Sequence, residues 1–177
     1  MIIFLIGLRG SGKTTVGPLL AQRLALPFFD ADAELEAKHG ATIREIFARH
    51  GEPTFREFEE LLLAELIARG PAVIATGGGV VLREANRRRM KSAGKVFWLH
   101  ADAATLWQRL QADPLTAQRR PNLAGGGHIE LEETLQIREP FYRSCADAVF
   151  PAQDRSPEQI VADMVALCST STSNTAR

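Results

Sequence analysis

Short apolar runs alternate with longer amphipathic segments along most of this chain. Five of the runs predict buried strands, because each is apolar and ends near glycine, threonine or polar residues. They span residues 2–6, 27–30, 73–75, 96–99 and, more weakly, 148–150. Between them, apolar residues recur at helical spacing. Strands that alternate with helices are typical of α/β domains, so the pattern predicts a three-layer fold, a five-stranded parallel sheet flanked by helices.

Local signals mark where several helices begin. A helix over about residues 14–24 follows the first strand and its glycine-rich turn. Thr42 with Glu45, and Ser156 with Gln159, have the spacing of capping boxes, in which each side chain accepts a hydrogen bond from the other residue's backbone N–H. Pro157 falls at the first helical position, where its missing N–H costs nothing. Over residues 55–67 one helical face is apolar, formed by Phe55, Phe58, Leu62 and Leu66.

The length of 177 residues predicts one domain, which we assign to residues 1–168. Residues 112–128 interrupt the pattern with two prolines, the pair Arg119-Arg120 and a run of three glycines. Such a long irregular stretch in a small domain is usually functional, so we expect a mobile lid here. The Ser/Thr-rich residues 169–177 lack apolar periodicity and predict a disordered tail.

Charge and composition narrow the classes of function. The 21 Lys and Arg balance 21 Asp and Glu, which argues against a nucleic-acid binder but leaves room for a local basic site. No run approaches the roughly 18 apolar residues of a membrane helix, and the N-terminus lacks the basic start of a signal peptide. Cys145 and Cys168 are too few for a disulfide framework. We therefore expect a cytoplasmic monomer whose thiols are reduced and packed as small hydrophobes.

Residues 7–14, GLRGSGKT, match the phosphate-binding P-loop pattern at every fixed position. Gly7, Gly10 and Gly12 would let successive backbone N–H groups point into one concavity at a helix start. Lys13 would then reach the β and γ phosphates, and the Thr14 hydroxyl would bind Mg²⁺. The spacing of the glycines does not fit the dinucleotide-binding G-x-G-x-x-G pattern.

Two acidic residues and a glycine run follow the second and third strands. If the chain stays extended, Asp30 and Asp32 face one side, where one would order the water shell of Mg²⁺ and the other would accept a substrate proton; alternatively, Asp32 only caps a helix. Gly77 to Gly79 favour close approach of a ligand to the backbone, with a flexible hinge as the alternative.

Three charged residues on later helices suggest a site for an anion. Arg56 and Glu59 are three residues apart and so are neighbours on one helical face. Glu59 would orient the Arg56 guanidinium to hold a substrate carboxylate, unless the two form only a surface ion pair. Arg138 offers a second fixed cation.

Together these pieces resemble the shikimate kinase family over about residues 2–167. Seven features stand in the family's order. They are the P-loop at 7–14, Asp30 and Asp32, Gly51-Glu52 with Phe55-Arg56 and Glu59, Gly77 to Gly79, Arg120-Pro121, Arg138 to Arg143, and the nucleotide-side residues 153–157.

The resemblance implies a role for each matched residue. Nucleotide binding is implied for Gly7, Gly10, Ser11, Gly12, Lys13, Thr14, Thr15, Arg109, Arg120 and Arg155, with Arg109 and Arg155 beside the adenine. Substrate binding is implied for Asp32, Phe55, Arg56, Glu59, Gly77, Gly78, Gly79 and Arg138, with the acceptor-binding helices over about 32–62. Lys13, Asp32 and the lid residue Arg120 would be catalytic, and Thr14 with Asp30, through water, would hold the metal.

The implied activity is ATP-dependent phosphorylation of the 3-hydroxyl of shikimate, with Mg²⁺ as cofactor and ATP as co-substrate. One alternative is a kinase for another polyhydroxy acid such as gluconate, which would not share the Arg56–Arg138 clamp. Another is a nucleotide-binding regulatory module without catalysis, although Lys13, Thr14, Asp32 and Arg120 are all intact. In the lid, Asn122 stands where the family usually has an apolar residue, and we expect His128 to be solvated.

Overall fold

The computed structural model describes residues 1–112 and 127–172. All five strands run parallel, in the order β2-β3-β1-β4-β5, and helices cover both faces of the sheet. The strands are β1 (Ile2–Ile6), β2 (Phe28–Asp30), β3 (Ala72–Ala75), β4 (Lys95–His100) and β5 (Ala148–Pro151). The helices of the described residues are α1 (Lys13–Leu24), α2 (Ala31–His39), α3 (Ile43–Ala68), α4 (Glu84–Ala93), α5 (Ala103–Ala112), α6 (Gly127–Cys145) and α7 (Pro157–Thr172). The predicted three-layer α/β fold is confirmed.

The central strand β1 is buried along its whole length because each of its faces meets a different set of helices. Ile3 and Leu5 pack against residues of α1 and α7. Phe4 and Ile6 pack on the other side, against residues of α3, α4 and α6. Burial on both faces explains why the strands are continuous apolar runs in the sequence instead of alternating ones.

The strand register brings three functional segments to one edge of the sheet. Ala75, at the end of β3, pairs with Leu5 of β1 on one side and with Asp30 of β2 on the other. The glycine-rich loop after β1, the acidic end of β2 and the glycine run after β3 therefore meet at the carboxyl edge. Ligands of open parallel sheets bind at this edge.

Both predicted capping boxes form. Glu45 N donates to Thr42 Oγ1 over 3.2 Å, and Thr42 N donates to Glu45 Oε2 over 2.8 Å. Gln159 N donates to Ser156 Oγ over 3.3 Å, and Ser156 N donates to Gln159 Oε1 over 2.9 Å. Between the start of α3 and the helical face predicted from residue 55, Gly51 has φ 74° and kinks the helix.

The prediction of a disordered tail from Ser169 is wrong at its first residues, because α7 continues to Thr172. Ser169 Oγ donates to the carbonyl of Val165, four residues earlier in the helix, over 3.0 Å. Cys168, the residue before it, is buried against the sheet and holds the last turns in place. Residues 173–177 lie outside the described part of the chain.

The edges of the expected lid belong to helices. Ala112 is the last residue of α5, and Gly127 and His128 open α6. The His128 ring meets the Trp107 ring edge-on, with 6.4 Å between ring centroids. The rest of the predicted lid, with Arg119, Arg120 and Asn122, lies outside the described residues.

Two further sequence predictions concern the cysteines and the membrane. Cys145 and Cys168 are both free thiols in the core, as predicted, and burial raises the pKa of Cys145 to about 11. Among the helices of the described ranges, none has the length and apolar character needed to cross a bilayer.

We expect Gly17→Ala to destabilise the protein, although alanine normally favours a helix interior by about 1 kcal/mol. A Cβ at Gly17 would overlap the Phe28 ring, where α1 packs on β2. Overpacking of this kind costs about 1–3 kcal/mol, so the free energy of unfolding in urea should fall. In a Phe28→Ala background the same change should become neutral or stabilising. A loss of the same size in both backgrounds would contradict the steric explanation.

Candidate active site

The loop after β1 bends through three glycines whose φ angles few other residues adopt. Gly7, Gly10 and Gly12 have φ of 142°, 79° and 96°. At Gly7 there is also no room for a side chain, since a Cβ would lie 2.5 Å from the carbonyl oxygen of Leu99. The glycines of the predicted P-loop are therefore required by the backbone.

The loop opens into a helix whose N-terminus lacks the usual stabilising groups. Gly12 is the N-cap of α1, no side chain caps the helix, and its first turn carries no acid. Most helices satisfy these first N–H groups with a capping side chain. A phosphate group would take that role here and gain from the helix dipole.

Lys13 is held against the loop that it follows. The residue is 9% exposed, and its ammonium group donates to the carbonyls of Gly7 (2.8 Å) and Leu8 (3.0 Å) and to Ser11 Oγ (3.4 Å). The cation thus lies inside the curve of the phosphate loop.

A cavity of about 190 Å³ lies beside the start of α1. It brings together five of the residues predicted to bind nucleotide, Ser11, Gly12, Thr15, Arg109 and Arg155. Arg109 donates to the carbonyls of Gly10 and Ala152, and Arg155 pairs with Asp163. The two arginines are therefore fixed by the protein on one side of this cavity.

The two acids after β2 have different positions from those predicted. The chain does not stay extended, because α2 begins at Ala31. Asp30, and not Asp32, is the N-cap: its Oδ1 accepts the N–H groups of Asp32 (3.0 Å) and Ala33 (3.3 Å). Burial and the neighbouring Asp32 carboxylate raise the pKa of Asp30, while these two N–H donors and Lys13 act in the opposite direction.

A second cavity, of about 70 Å³, lies on the other side of the phosphate loop. It brings together most of the residues predicted to bind the acceptor: Phe55, Arg56, Glu59, Gly78, Gly79 and Arg138. Asp32 and Gly77 do not line it. They line a smaller adjoining cavity, and Glu59 lines both. We refer to the 70 Å³ cavity as the acceptor cavity.

Arg56 is oriented by two carboxylates, of which the sequence predicted one. Its Nη1 donates to Glu59 Oε2 over 2.9 Å, and its Nη2 and Nε donate to Glu52 Oε1 over 2.9 and 3.2 Å. The guanidinium also lies over the Phe55 ring, 5.2 Å from its centroid. The alternative of a surface ion pair is excluded, since the Arg56 side chain is 12% exposed and that of Glu59 8%.

The glycine run makes room for the charged side chains around it. A Cβ at Gly77 would lie 2.6 Å from Glu59 Oε1 and 2.9 Å from Asp32 Oδ1. A Cβ at Gly79 would overlap the Arg56 guanidinium, and one at Gly78 would lie 3.6 Å from Arg138 Nη1. Each glycine thus accommodates a different part of the predicted acceptor site.

Side chains from α4 and α6 hold the carbonyls of this segment in place. The Tyr142 hydroxyl donates to the Gly78 carbonyl over 2.5 Å, and Asn86 Nδ2 donates to the Val80 carbonyl over 3.1 Å. Both side chains are fully buried. These contacts favour a fixed segment over the flexible hinge that is the alternative for the glycines. Sequence reasoning missed Asn86, for which no motif exists, and Tyr142, which is the only tyrosine in the chain and stands in a matched motif.

Arg138 differs from Arg56 in having no partner among the described residues. Within residues 1–112 and 127–172 it makes no hydrogen bond and no ion pair, although it is half-buried in the wall of the acceptor cavity. A partly buried cation without a counter-charge favours an anionic ligand. Arg120, the third predicted arginine, lies outside the described residues.

The chain has a parallel sheet with helices on both faces, a phosphate loop and, next to the loop, a cavity lined by cations. These features define the class of P-loop phosphotransferases. Comparison with known proteins narrows this class. The model of the shikimate kinase family matches residues 9–169. The chain is 42% identical to the shikimate kinase of Pseudomonas syringae pv. syringae (strain B728a) over 165 residues, which cover 93% of this chain and 94% of the relative. It is also 42% identical to the shikimate kinase of Pseudomonas fluorescens (strain Pf0-1) over 164 residues, 92% of this chain and 93% of that one.

Solved structures agree with the sequence relatives. The shikimate kinase from Acinetobacter baumannii, in complex with shikimate, superposes with a TM-score of 0.89 at 36% identity and covers 96% of this chain and 93% of its own. A gluconokinase from Sinorhizobium meliloti 1021 gives a TM-score of 0.60 at 17% identity, covering 98% of this chain and 94% of its own, a likeness of fold alone. The chain belongs to the shikimate kinase family.

We expect Asp30→Asn to leave the protein at least as stable as the parent at pH 7. Asparagine caps a helix as well as aspartate does. The raised pKa of Asp30 means that the folded state disfavours the ionised carboxylate, so stability falls as the pH rises through the pKa of the folded protein. The substitution removes this cost at pH 7, and the advantage should shrink towards pH 4.

The measurement is urea unfolding at both pH values, with Asp30→Ala as the matched control that loses the cap. Asp30→Ala should cost about 0.5–2 kcal/mol from the lost capping bond, partly offset by the same gain. If Asp30→Asn is as destabilised at pH 7 as Asp30→Ala, the ionised carboxylate is favourable in the fold and the pKa direction is wrong.

Proposed function

We propose that this chain transfers the γ-phosphoryl group of ATP to the 3-hydroxyl of shikimate, giving shikimate 3-phosphate and ADP. The observation that carries the proposal is the convergence of Arg56 and Arg138 on one cavity beside a complete phosphate loop, in a member of the shikimate kinase family. A ligand with one carboxylate and several hydroxyls suits that cavity. The rival acceptor gluconate has weaker support, because the likeness to a gluconokinase extends to the fold alone.

The acceptor's carboxylate would lie between the two arginines. Three of the five N–H groups of Arg56 donate to Glu52 and Glu59, which leaves two that can donate to a ligand. Arg138 keeps all of its own, since no described residue accepts from it. The ion pairs of Arg56 fix its orientation in advance, so little conformational entropy is lost when the carboxylate binds.

Asp32 is the proposed base. It lies with Glu59 around Gly77, next to the acceptor cavity, where it would bind the hydroxyls and accept the proton of the attacking 3-hydroxyl. Phosphoryl transfer leaves little covalent chemistry to the protein, so alignment of this hydroxyl with the γ-phosphate is the main contribution.

The nucleotide would bind with its phosphates on the loop and its adenine in the 190 Å³ cavity. Lys13 would exchange its bonds to the Gly7 and Leu8 carbonyls for the β and γ phosphates, to which an ammonium binds more strongly. Arg109 and Arg155 would flank the adenine. By family resemblance, Arg120 would complete the charge stabilisation from the lid.

The residues at the ends of β1 and β2 fit a Mg²⁺ ion that accompanies the nucleotide. Asp30 Oδ1 is occupied by two N–H groups, while Oδ2 has no hydrogen bond from any described residue. Thr14 is exposed on the first turn of α1. In the described ranges no three His, Cys, Asp or Glu side chains converge into a metal cluster, which suits a cation that takes most of its ligands from phosphates and water. When bound, Mg²⁺ would neutralise charge on the phosphates, with Thr14 as ligand and Asp30 acting through water.

The expectation of a cytoplasmic monomer stays a prediction. The large apolar side chains that are exposed in the described residues are scattered over several elements: Met1, Leu61, Ile129, Ile137, Val149 and Leu167. Scattered exposure of this kind is normal for a monomer, and sedimentation would test it.

The proposal is tested by measuring ADP release with a panel of hydroxy acids that includes shikimate and gluconate. We expect release to depend on shikimate and the product to carry phosphate at the 3-hydroxyl. ADP formation that is independent of any acceptor would overturn the proposal, and so would a preference for gluconate. No ADP release under any condition would favour the regulatory-module alternative.

We expect substitutions of the two arginines and the lysine to separate acceptor binding from transfer. Arg138→Ala should raise the KM for shikimate by about 10- to 100-fold, the value of a charge-assisted hydrogen bond, with stability unchanged. Arg56→Ala should weaken acceptor binding similarly and also destabilise the fold, because it leaves Glu59 buried without its partner. Lys13→Ala should abolish measurable transfer.

The control is Arg88→Ala, whose side chain is 79% exposed in an ion pair with Glu84 away from both cavities. Steady-state kinetics and urea unfolding on all four variants separate the effects. An unchanged KM for shikimate in Arg138→Ala would remove it from the carboxylate clamp.

A further inference from the structure

A fourth arginine, Arg44, lines the acceptor cavity and belongs to none of the motifs considered above. It stands on the first turn of α3, one residue after Ile43, which lines the same cavity. Among the described residues, the wall of this cavity contains the arginines 9, 44, 56 and 138 and one carboxylate, that of Glu59. Glu59 is already paired with Arg56. The charges of Arg44 and Arg138 therefore have no counter-charge from a described residue.

The described residues give the Arg44 side chain no stabilising polar contact. Its side chain is exposed, and among the described residues nothing accepts a hydrogen bond from it or forms an ion pair with it. The adjacent acid is engaged elsewhere, since Glu45 accepts from Thr42 and pairs with Arg49. No carboxylate in the described part of the chain thus accounts for the charge of Arg44.

The position of Arg44 along the helix is also unfavourable for a cation. The first turn of a helix has a positive partial charge, so basic residues there are disfavoured and acidic ones favoured. The first turn of α3 faces the acceptor cavity with Ile43 and Arg44, and both the helix end and the side chain add to the positive potential there. This charge would be stabilised by an anion that enters the cavity.

We propose that Arg44 captures the anionic acceptor on approach, and that it acts on association and not on the chemical step. Exposed charges contribute little to equilibrium binding but raise association rates and make them sensitive to salt. Arg44 accordingly differs from Arg56 and Arg138, which would hold the carboxylate after it has entered. The inference rests on the proposed function, because it takes shikimate as the anion.

The test is a charge series at residue 44, comprising the parent, Arg44→Gln and Arg44→Glu. At low ionic strength, kcat/KM for shikimate should fall about two- to fivefold for Arg44→Gln and by a similar further factor for Arg44→Glu. The value of kcat and the KM for ATP should not change. The differences should vanish at high salt, where the Debye length is only about 3 Å.

The matched control is the same series at Arg49, an exposed arginine of the same helix that does not line the cavity. Its variants should have the parent's kcat/KM. A second arm uses the uncharged carboxamide of shikimate as acceptor, for which the Arg44 series should be flat.

The outcomes separate this inference from the proposed function. If the parent phosphorylates shikimate but the Arg44 series is flat, or matches the Arg49 series, the capture role is wrong and the activity stands. A second outcome is that kcat falls along the Arg44 series while the salt dependence of kcat/KM stays that of the parent. Arg44 then acts in the chemical step, and the inference is again overturned. If the parent itself does not phosphorylate shikimate, the proposed function fails.

Discussion

The acceptor side of this protein depends on a steric constraint at the carboxyl end of β3. Three consecutive glycines leave space that charged side chains from three different helices fill. Asp32 of α2 and Glu59 of α3 lie against Gly77, Arg56 of α3 lies against Gly79, and Arg138 of α6 lies beside Gly78. A side chain at Gly77 or Gly79 would displace these charged groups, whereas one at Gly78 would make only ordinary van der Waals contacts. The hydrogen bond from Tyr142 to Gly78 keeps the backbone itself in place.

The formal net charge of zero hides a strong local separation of charge. Arg56 is neutralised by Glu52 and Glu59, an arrangement that fixes its geometry at the cost of part of its charge. Arg138 and Arg44 have no described counter-charge, so they supply the attraction for an anion. Arg56 is thus held in position by the protein, whereas Arg138 and Arg44 remain available to attract an anion. Around the phosphate loop, Lys13 and the uncapped start of α1 have the corresponding function for the nucleotide.

Most of what the sequence predicted correctly depends on residues close together along the chain. A few neighbouring residues are enough to encode a strand core, the P-loop glycines or a capping box. Each of these features forms as expected. The pairing of Arg56 with Glu59 is also local, one helical turn. Arg138 is far along the chain from this pair, and the family resemblance placed it at the same site.

The features that the sequence did not predict arise from contacts between distant segments or from competition between neighbours. The Tyr142–Gly78 bond joins residues 64 positions apart, and Asn86 contacts a carbonyl that no motif marks. The choice of Asp30 over Asp32 as the cap depends on where β2 ends, which the pairing of Asp30 with Ala75 decides. At the C-terminus, burial of Cys168 extends α7 into a segment whose composition suggested disorder.

The central claim is that the glycine run exists to let the charged acceptor site assemble, and Gly79→Ala tests it most directly. Gly79 has φ −97°, which alanine adopts without strain, so the added methyl group acts only through its overlap with the Arg56 guanidinium. Calorimetric titration with shikimate should give a Kd at least about tenfold weaker than the parent's, the value of a displaced charge-assisted hydrogen bond. In an Arg56→Ala background, where the overlap is gone, the same substitution should leave the Kd unchanged. A parent-like Kd for Gly79→Ala would contradict the account.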